Sequence, residues 1–259
     1  MLLLSLLALA ADTVPDRGVL LVSASTLINA GSADTLELEN IGGSTLELSV
    51  DRASFGAGTT TVVVAPRAKA KVLLRYDGTC GPSEWGPCVT GSVHLSAPGG
   101  SLAVLVQVLP PRTGMLGVLP ARLYWDPSGP PPTGGVLGGF GSRAGRTTLP
   151  DLPVGAPTIA KGSHGDVRTS LSYPRGAAAT LGPLESALSA AAATCDTRIA
   201  ASTLDVSGHV NWAADGRITG VRVNRALGVS ERCVVVALLA ASVGAGPGEA
   251  GFRASPAAE

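Results

Sequence analysis

Between residues 17 and 110, apolar and polar positions alternate in short runs broken by turn residues, the pattern of an antiparallel β module. Candidate strands cover residues 19–25, 34–40, 45–50, 60–64, 70–76, 90–96 and 102–109. In Thr35-Leu36-Glu37-Leu38-Glu39 and Thr45-Leu46-Glu47-Leu48-Ser49 the leucines recur at period two. That spacing places them on a core face and leaves Glu37, Glu39 and Glu47 in solvent, so these carboxylates read as sheet surface before they read as acid/base groups. Asn40-Ile41-Gly42-Gly43 and Ala97-Pro98-Gly99-Gly100 supply turns. Seven short strands in about ninety residues are what an immunoglobulin-like β-sandwich requires.

The period changes after residue 180. Leu181, Leu184, Leu188, Ala191, Ala192 and Cys195 fall at steps of three and four, predicting a helix with one apolar stripe, and Pro183 sits in its first turn, where a missing amide does no harm. Runs 206–212 and 218–223 flank Asp215 and Gly216, a strong hairpin signal. Alternation slips near Gly220, which predicts a bulge. A second helix over 229–241 and a short strand over 251–254 complete an α-β-β-α-β order, a small antiparallel sheet with helices on one face. The chain is thus expected to be mostly β with a small α+β domain at 181–256.

Residues 111–180 are expected to be a Gly/Pro-rich linker. Within it, one strand is predicted inside 116–125 and some order returns over 154–160. Gly139-Phe140-Gly141-Ser142-Arg143-Ala144 matches a loose dinucleotide fingerprint, but prolines occupy the space where a preceding strand belongs, so the match is rejected.

Residues 1–11 form an unbroken Leu/Ala run ending in Ala8-Leu9-Ala10, followed by polar Asp12. This reads as a signal peptide. A retained anchor and a buried first strand are the competing readings, and membrane contact is expected only if the segment is retained. The chain is therefore expected to be exported, to the periplasm or the cell surface. Four cysteines fit that compartment, with Cys80 near Cys88 and Cys195 separated from Cys233 by a hairpin. Three pairings are open in principle, as are free buried thiols. If Cys195 joins Cys233, the bond staples the two helices of the terminal domain.

Nineteen basic and nineteen acidic residues cancel, which gives no electrostatic case for nucleic acid as a partner. The histidines, His94, His164 and His209, have no ligand spacing to the cysteines, so neither a metal nor a cofactor is expected. Ser163, His164 and Asp166 have the residue types of a hydrolase, but they neighbour one another on a Gly-flanked segment where adjacent side chains point apart, with no nucleophile elbow. No catalytic residues are assigned.

The runs LELENIGGSTLELSV, APRAKAKVLLRY and TGSVHLSAPGGSLAVLVQVL resemble, in order and spacing, the immunoglobulin-like ASH or choice-of-anchor domains, with Arg67 standing where that family places a glycine. The resemblance implies a structural or adhesive module without catalysis. Cys195, Leu204, Gly208, Val210, Asp215, Gly216, Ile218, Val221 and Cys233 are similar in pattern to the C-terminal domain family of myxobacterial gliding-motility and related envelope proteins, itself similar to the TonB C-terminal domain. Asp196 replaces that family's usual tyrosine, and residues 242–247 lack its aromatic ending. The resemblance implies a TonB-like α/β domain that docks another envelope protein.

The function expected is thus a non-enzymatic, exported cell-envelope protein whose terminal domain docks a partner by adding a strand at a sheet edge. A structural or adhesive surface protein with no dedicated partner site is the alternative, and a hydrolase the remote one.

Overall fold

The computed structural model describes residues 15–56, 58–80, 87–110, 121–132, 149–162, 165–196, 204–227 and 230–257. Residues 1–11, read above as a signal peptide, Gly139 to Ala144, Ser163 and His164 lie outside them.

The first part is a sandwich. One layer holds β1 (Leu20–Ser23), β3 (Ala33–Asn40) and β6 (Lys69–Arg75); the other has the order β2 (Ser25–Asn29), β8 (Gly100–Leu109), β7 (Val89–Ala97), β4 (Leu46–Asp51), β5 (Thr59–Val64). The single strand expected over 19–25 breaks at Ala24, whose amide donates to the Ala121 carbonyl and whose carbonyl accepts from the Leu105 amide. The chain crosses there from one layer to the other and runs parallel to β8, as in an immunoglobulin-like sandwich. The period-two positions do what their spacing predicts: Leu36, Leu38, Leu48, Val50, Val72 and Leu74 are all buried in one core with Phe55 and Trp125. Each such side chain contributes about 1.5–3 kcal/mol on burial.

The turn at Asn40 has a specific physical basis. The Asn40 side chain is buried and makes four hydrogen bonds: its carbonyl oxygen accepts from the amides of Val19 and Gly42, and its amide donates to the carbonyls of Ser44 and Val64. A Cβ on Gly42 would lie 2.0 Å from the Arg17 carbonyl oxygen, so no larger residue fits. Arg67 takes φ +59°, in the left-handed region.

The last part has the expected α-β-β-α-β order: α1 (Leu181–Asp196), β12 (Asp205–Trp212), β13 (Ile218–Leu227), α2 (Ser230–Ala240) and β14 (Gly248–Pro256). Leu184, Leu188, Ala191, Ala192 and Cys195 form the buried stripe of α1. The bulge expected near Gly220 is present, because Asn211 pairs with Gly220 while Trp212 pairs with Ile218, leaving Thr219 over; a second slip follows Ser207. β14 is longer than the strand expected over 251–254 and is central, paired on one side with β12 and on the other with β11 (Asp166–Gly176). Ala250, Phe252 and Ala254 alternate into the core beneath the helices.

The expected linker over 111–180 requires correction: its described residues contain three strands, β9 (Arg122–Trp125), β10 (Thr158–Lys161) and β11. Pro150, Pro153, Pro157 and Pro174 masked the alternation of Val167, Thr169 and Leu171, all buried, with Arg168, Ser170 and Ser172. β9 is the decisive one. It pairs with β1 on one side and β13 on the other, fusing both parts into one nine-stranded sheet, β10-β11-β14-β12-β13-β9-β1-β3-β6.

Successive strand residues point to opposite faces. Leu123 and Trp125 therefore enter the sandwich core, while Tyr124 enters the core under the helices. The sheet buries one face at one end and the opposite face at the other, and β9 is where the burial changes sides.

Polar groups lock this seam. Asp126, following β9, is buried; Arg17 meets it at 2.6 Å and Arg217 at 3.2 Å. Arg17 also donates to the carbonyls of Ile218 and Leu239, tying the segment before β1 to the last domain. Burial lowers the Arg17 pKa, an effect opposed by Asp126 and reinforced by Arg217. At the start of α2 the Tyr124 hydroxyl donates to Glu231 at 2.8 Å, and Arg122 lies 3.3 Å from the same carboxylate. Burial, then the Glu231 charge, raises the Tyr124 pKa well above its ordinary value.

Candidate docking edge of the terminal half

The cysteines are brought together in the two local pairs. Cys195 on α1 and Cys233 on α2 are paired with Cα atoms 5.7 Å apart, so the staple expected between the helices is geometrically in place; Cys80 and Cys88 are paired with Cα atoms 5.8 Å apart, between β6 and β7. Asp215 and Gly216 form the hairpin turn: Gly216 has φ +80°, and the Asp215 carboxylate accepts from the Arg217 amide at 3.0 Å. A Cβ on Gly216 would lie 1.9 Å from the Gly244 carbonyl oxygen, so the turn also needs glycine for close packing on the segment after α2. These six residues are structural.

Of the rejected hydrolase set, only Asp166 is described, and it opens β11. His94 lies on β7 with its Nε2 3.0 Å from the Ser92 hydroxyl, at an exposed position. His209 is half-buried on β12. Burial lowers its pKa, Arg222 lowers it further, and Glu249 partly opposes them. These histidines are on different sheets, so they do not converge. Among the described residues no three His, Cys, Asp or Glu side chains are grouped as metal ligands, and no helix is long and apolar enough to cross a membrane.

A different feature stands out at the end of the nine-stranded sheet. β10 pairs antiparallel with β11, from Thr158 opposite Thr169 to Lys161 opposite Asp166, and among the described residues no strand pairs with its other side. That side keeps backbone donors and acceptors available for another chain. Beside it, between β10 and α1, runs an open groove of about 430 Å³ lined by Thr158, Ala160, Glu185, Ser186, Ser189 and Ala190. The groove exists because the apolar stripe of α1 faces β11 and β14, turning Ser186, Ser189 and Ala190 toward the sheet edge, where their small side chains leave space. Ile159, on the opposite face of β10, is 63% exposed.

No family model matches the chain, and no curated protein or solved structure matches it. The geometry carries the functional reading alone.

A strand added to β10 would send alternate side chains into the groove, where Glu185 is the only charged wall residue among the described residues. The edge fell inside the expected linker. The signals that point to it are the alternation of 167–172 and the glycines at 162 and 165, which make a hairpin closed by the Gly162 amide donating to the Gly165 carbonyl.

Proposed function

We propose that the chain is an exported, non-enzymatic cell-envelope protein whose terminal half docks a partner protein by strand addition at β10. The observation that carries this reading is the unpaired side of β10 lying next to the groove on α1. Backbone hydrogen bonds supply affinity in this mode, and the pockets receiving alternate side chains supply specificity. The two cysteine pairs support export, since such bonds persist in oxidising compartments. The partner favoured is an extended segment with small or medium apolar residues at every second position and a basic residue opposite Glu185.

The test is affinity capture from an envelope fraction with the full chain and with the Ile159→Pro variant. In the β10–β11 register the amides of Thr158 and Ala160 face β11 and that of Ile159 faces the free side, so proline at 159 removes one donor from the edge at an exposed position, without touching either core. Loss of a specifically captured protein in the variant supports the reading. Equal capture by both, or capture by neither, overturns it.

A further inference from the structure

The two sheets together have four ends: β10 is the docking edge described above, and two of the other three are guarded. β6 carries Lys69, Lys71 and Arg75; β2 is five residues long and begins where the chain crosses between layers, with Ala24 held to Ala121. Short length, proline and lysine are the devices that keep edge strands from pairing with other chains.

β5 has none of them. It is six residues, Thr-Thr-Thr-Val-Val-Val, all β-branched, without charge, proline or bulge, and it pairs with β4 in unbroken register from Thr59 opposite Asp51 to Val64 opposite Leu46. Among the described residues no strand pairs with its outer side. Thr59, Thr61 and Val63 point outward from the sandwich, with Val63 61% exposed. Ahead of it, Gly58 takes φ +59° and has no atom within 4 Å of its Cβ position.

We infer that β5 is a self-association edge, where a second copy of this chain pairs its own β5 antiparallel about a two-fold axis. The occupant follows from the chemistry of the strand. A two-fold axis normal to the sheet places residues of the same face opposite one another, so the register centres on a residue. Centred on Thr61, it sets Thr59 opposite Val63 and Thr60 opposite Val62, and no charged side chain enters the ladder from either copy. β-branched residues facing β-branched residues are favourable cross-strand partners. The two five-stranded layers become one continuous sheet, and the Val63 side chains lose solvent. By contrast, homotypic pairing at β6 would bring three cations per strand to the junction. The β5 junction leaves β10 free in both copies, so the pair presents two docking edges.

Sedimentation equilibrium of the full chain, over a range of concentrations, is the experiment. The wild-type chain is expected to move toward twice the monomer mass. Thr61→Lys sets two ammonium groups face to face at the axis and is expected to weaken the dimer by about tenfold or more, with the circular dichroism spectrum and melting temperature held. Should that variant fail to fold, hydrogen exchange on the wild-type chain decides: the amides of Thr59 to Val64 are expected to slow as concentration rises. A chain that stays monomeric, a Thr61→Lys chain that folds and dimerises like wild type, a dimer lost on Ile159→Lys instead, or exchange at β5 independent of concentration each overturns the inference. So does a β5 edge that takes a strand from another protein without pairing with itself.

Discussion

The two ends of the nine-stranded sheet solve the same problem on opposite faces. At the β1, β3 and β6 end, aliphatic residues at period two bury against a second sheet; at the β12, β13 and β14 end, Val206, Val210, Val221, Phe252 and Ala254 bury against two helices on the other face. The sandwich end needs no covalent tie through its centre, and its cysteine pair closes a local loop. The helical end places Cys195, wholly buried, at the contact between α1 and α2. The difference shows how two helices are held to a sheet: where they offer mostly Val, Leu and Ala, a cross-link supplements packing.

β9 is the place to break the comparison. Trp125→Ala removes the largest side chain of the sandwich core and is expected to cost about 4 kcal/mol in denaturant unfolding. Tyr124→Phe, one residue away on the opposite face, leaves Glu231 without one hydrogen bond and is expected to cost about 1–2 kcal/mol. If both changes proved equal, β9 would not be dividing its faces between two unequal cores.

The cysteine pairs sharpen the contrast. With partners 38 positions apart in sequence, replacing Cys195 and Cys233 by serine is expected to cost about 4 kcal/mol on the chain-entropy model. The pair separated by 8 residues should cost about 2.5 kcal/mol, and a comparison of melting curves of the two double variants tests the order.

The seam itself is probed by Asp126→Ala, which leaves Arg17 and Arg217 facing each other without their buried counter-charge. About 3 kcal/mol is expected, less than for a fully buried pair because both guanidinium groups keep some solvent. Retention of the wild-type melting temperature would show that β9 pairing alone holds the two parts together.

Arg67→Gly is expected to stabilise the sandwich by about 1 kcal/mol, since it relieves a left-handed backbone at an exposed residue. A loss of stability would mean that the entropy glycine adds to the unfolded chain outweighs that relief.

The smallest effect is pH-dependent. His209 holds its proton less tightly when folded than unfolded, because of burial and Arg222. Below the ordinary histidine range the unfolded chain binds the proton more readily, so stability is lost as pH falls from about 6.5 through the lower, folded value. The melting temperature of His209→Gln should fall less than that of wild type between pH 7 and pH 5.

Much of this fold is legible in local pattern. The strands of the sandwich follow from leucine and valine at period two, α1 from its three- and four-residue steps, and the hairpin from Asp215 and Gly216, because each of these signals acts between residues close in sequence. Strand β11 was legible too, in Val167, Thr169 and Leu171, but surrounding prolines and glycines gave the segment the composition of a linker.

What the sequence alone determined was the set of elements and the faces they must bury. Which face is buried against what, and with which neighbour, was decided only in three dimensions. Nothing local in Arg122-Leu123-Tyr124-Trp125 announces a strand shared by two cores, because strand order depends on backbone hydrogen bonds to β1 and β13, about one hundred residues away on either side. The unpaired sides of β5 and β10 have the same origin. An edge is defined by the strand that is not beside it, and a chain cannot specify an absence by local pattern.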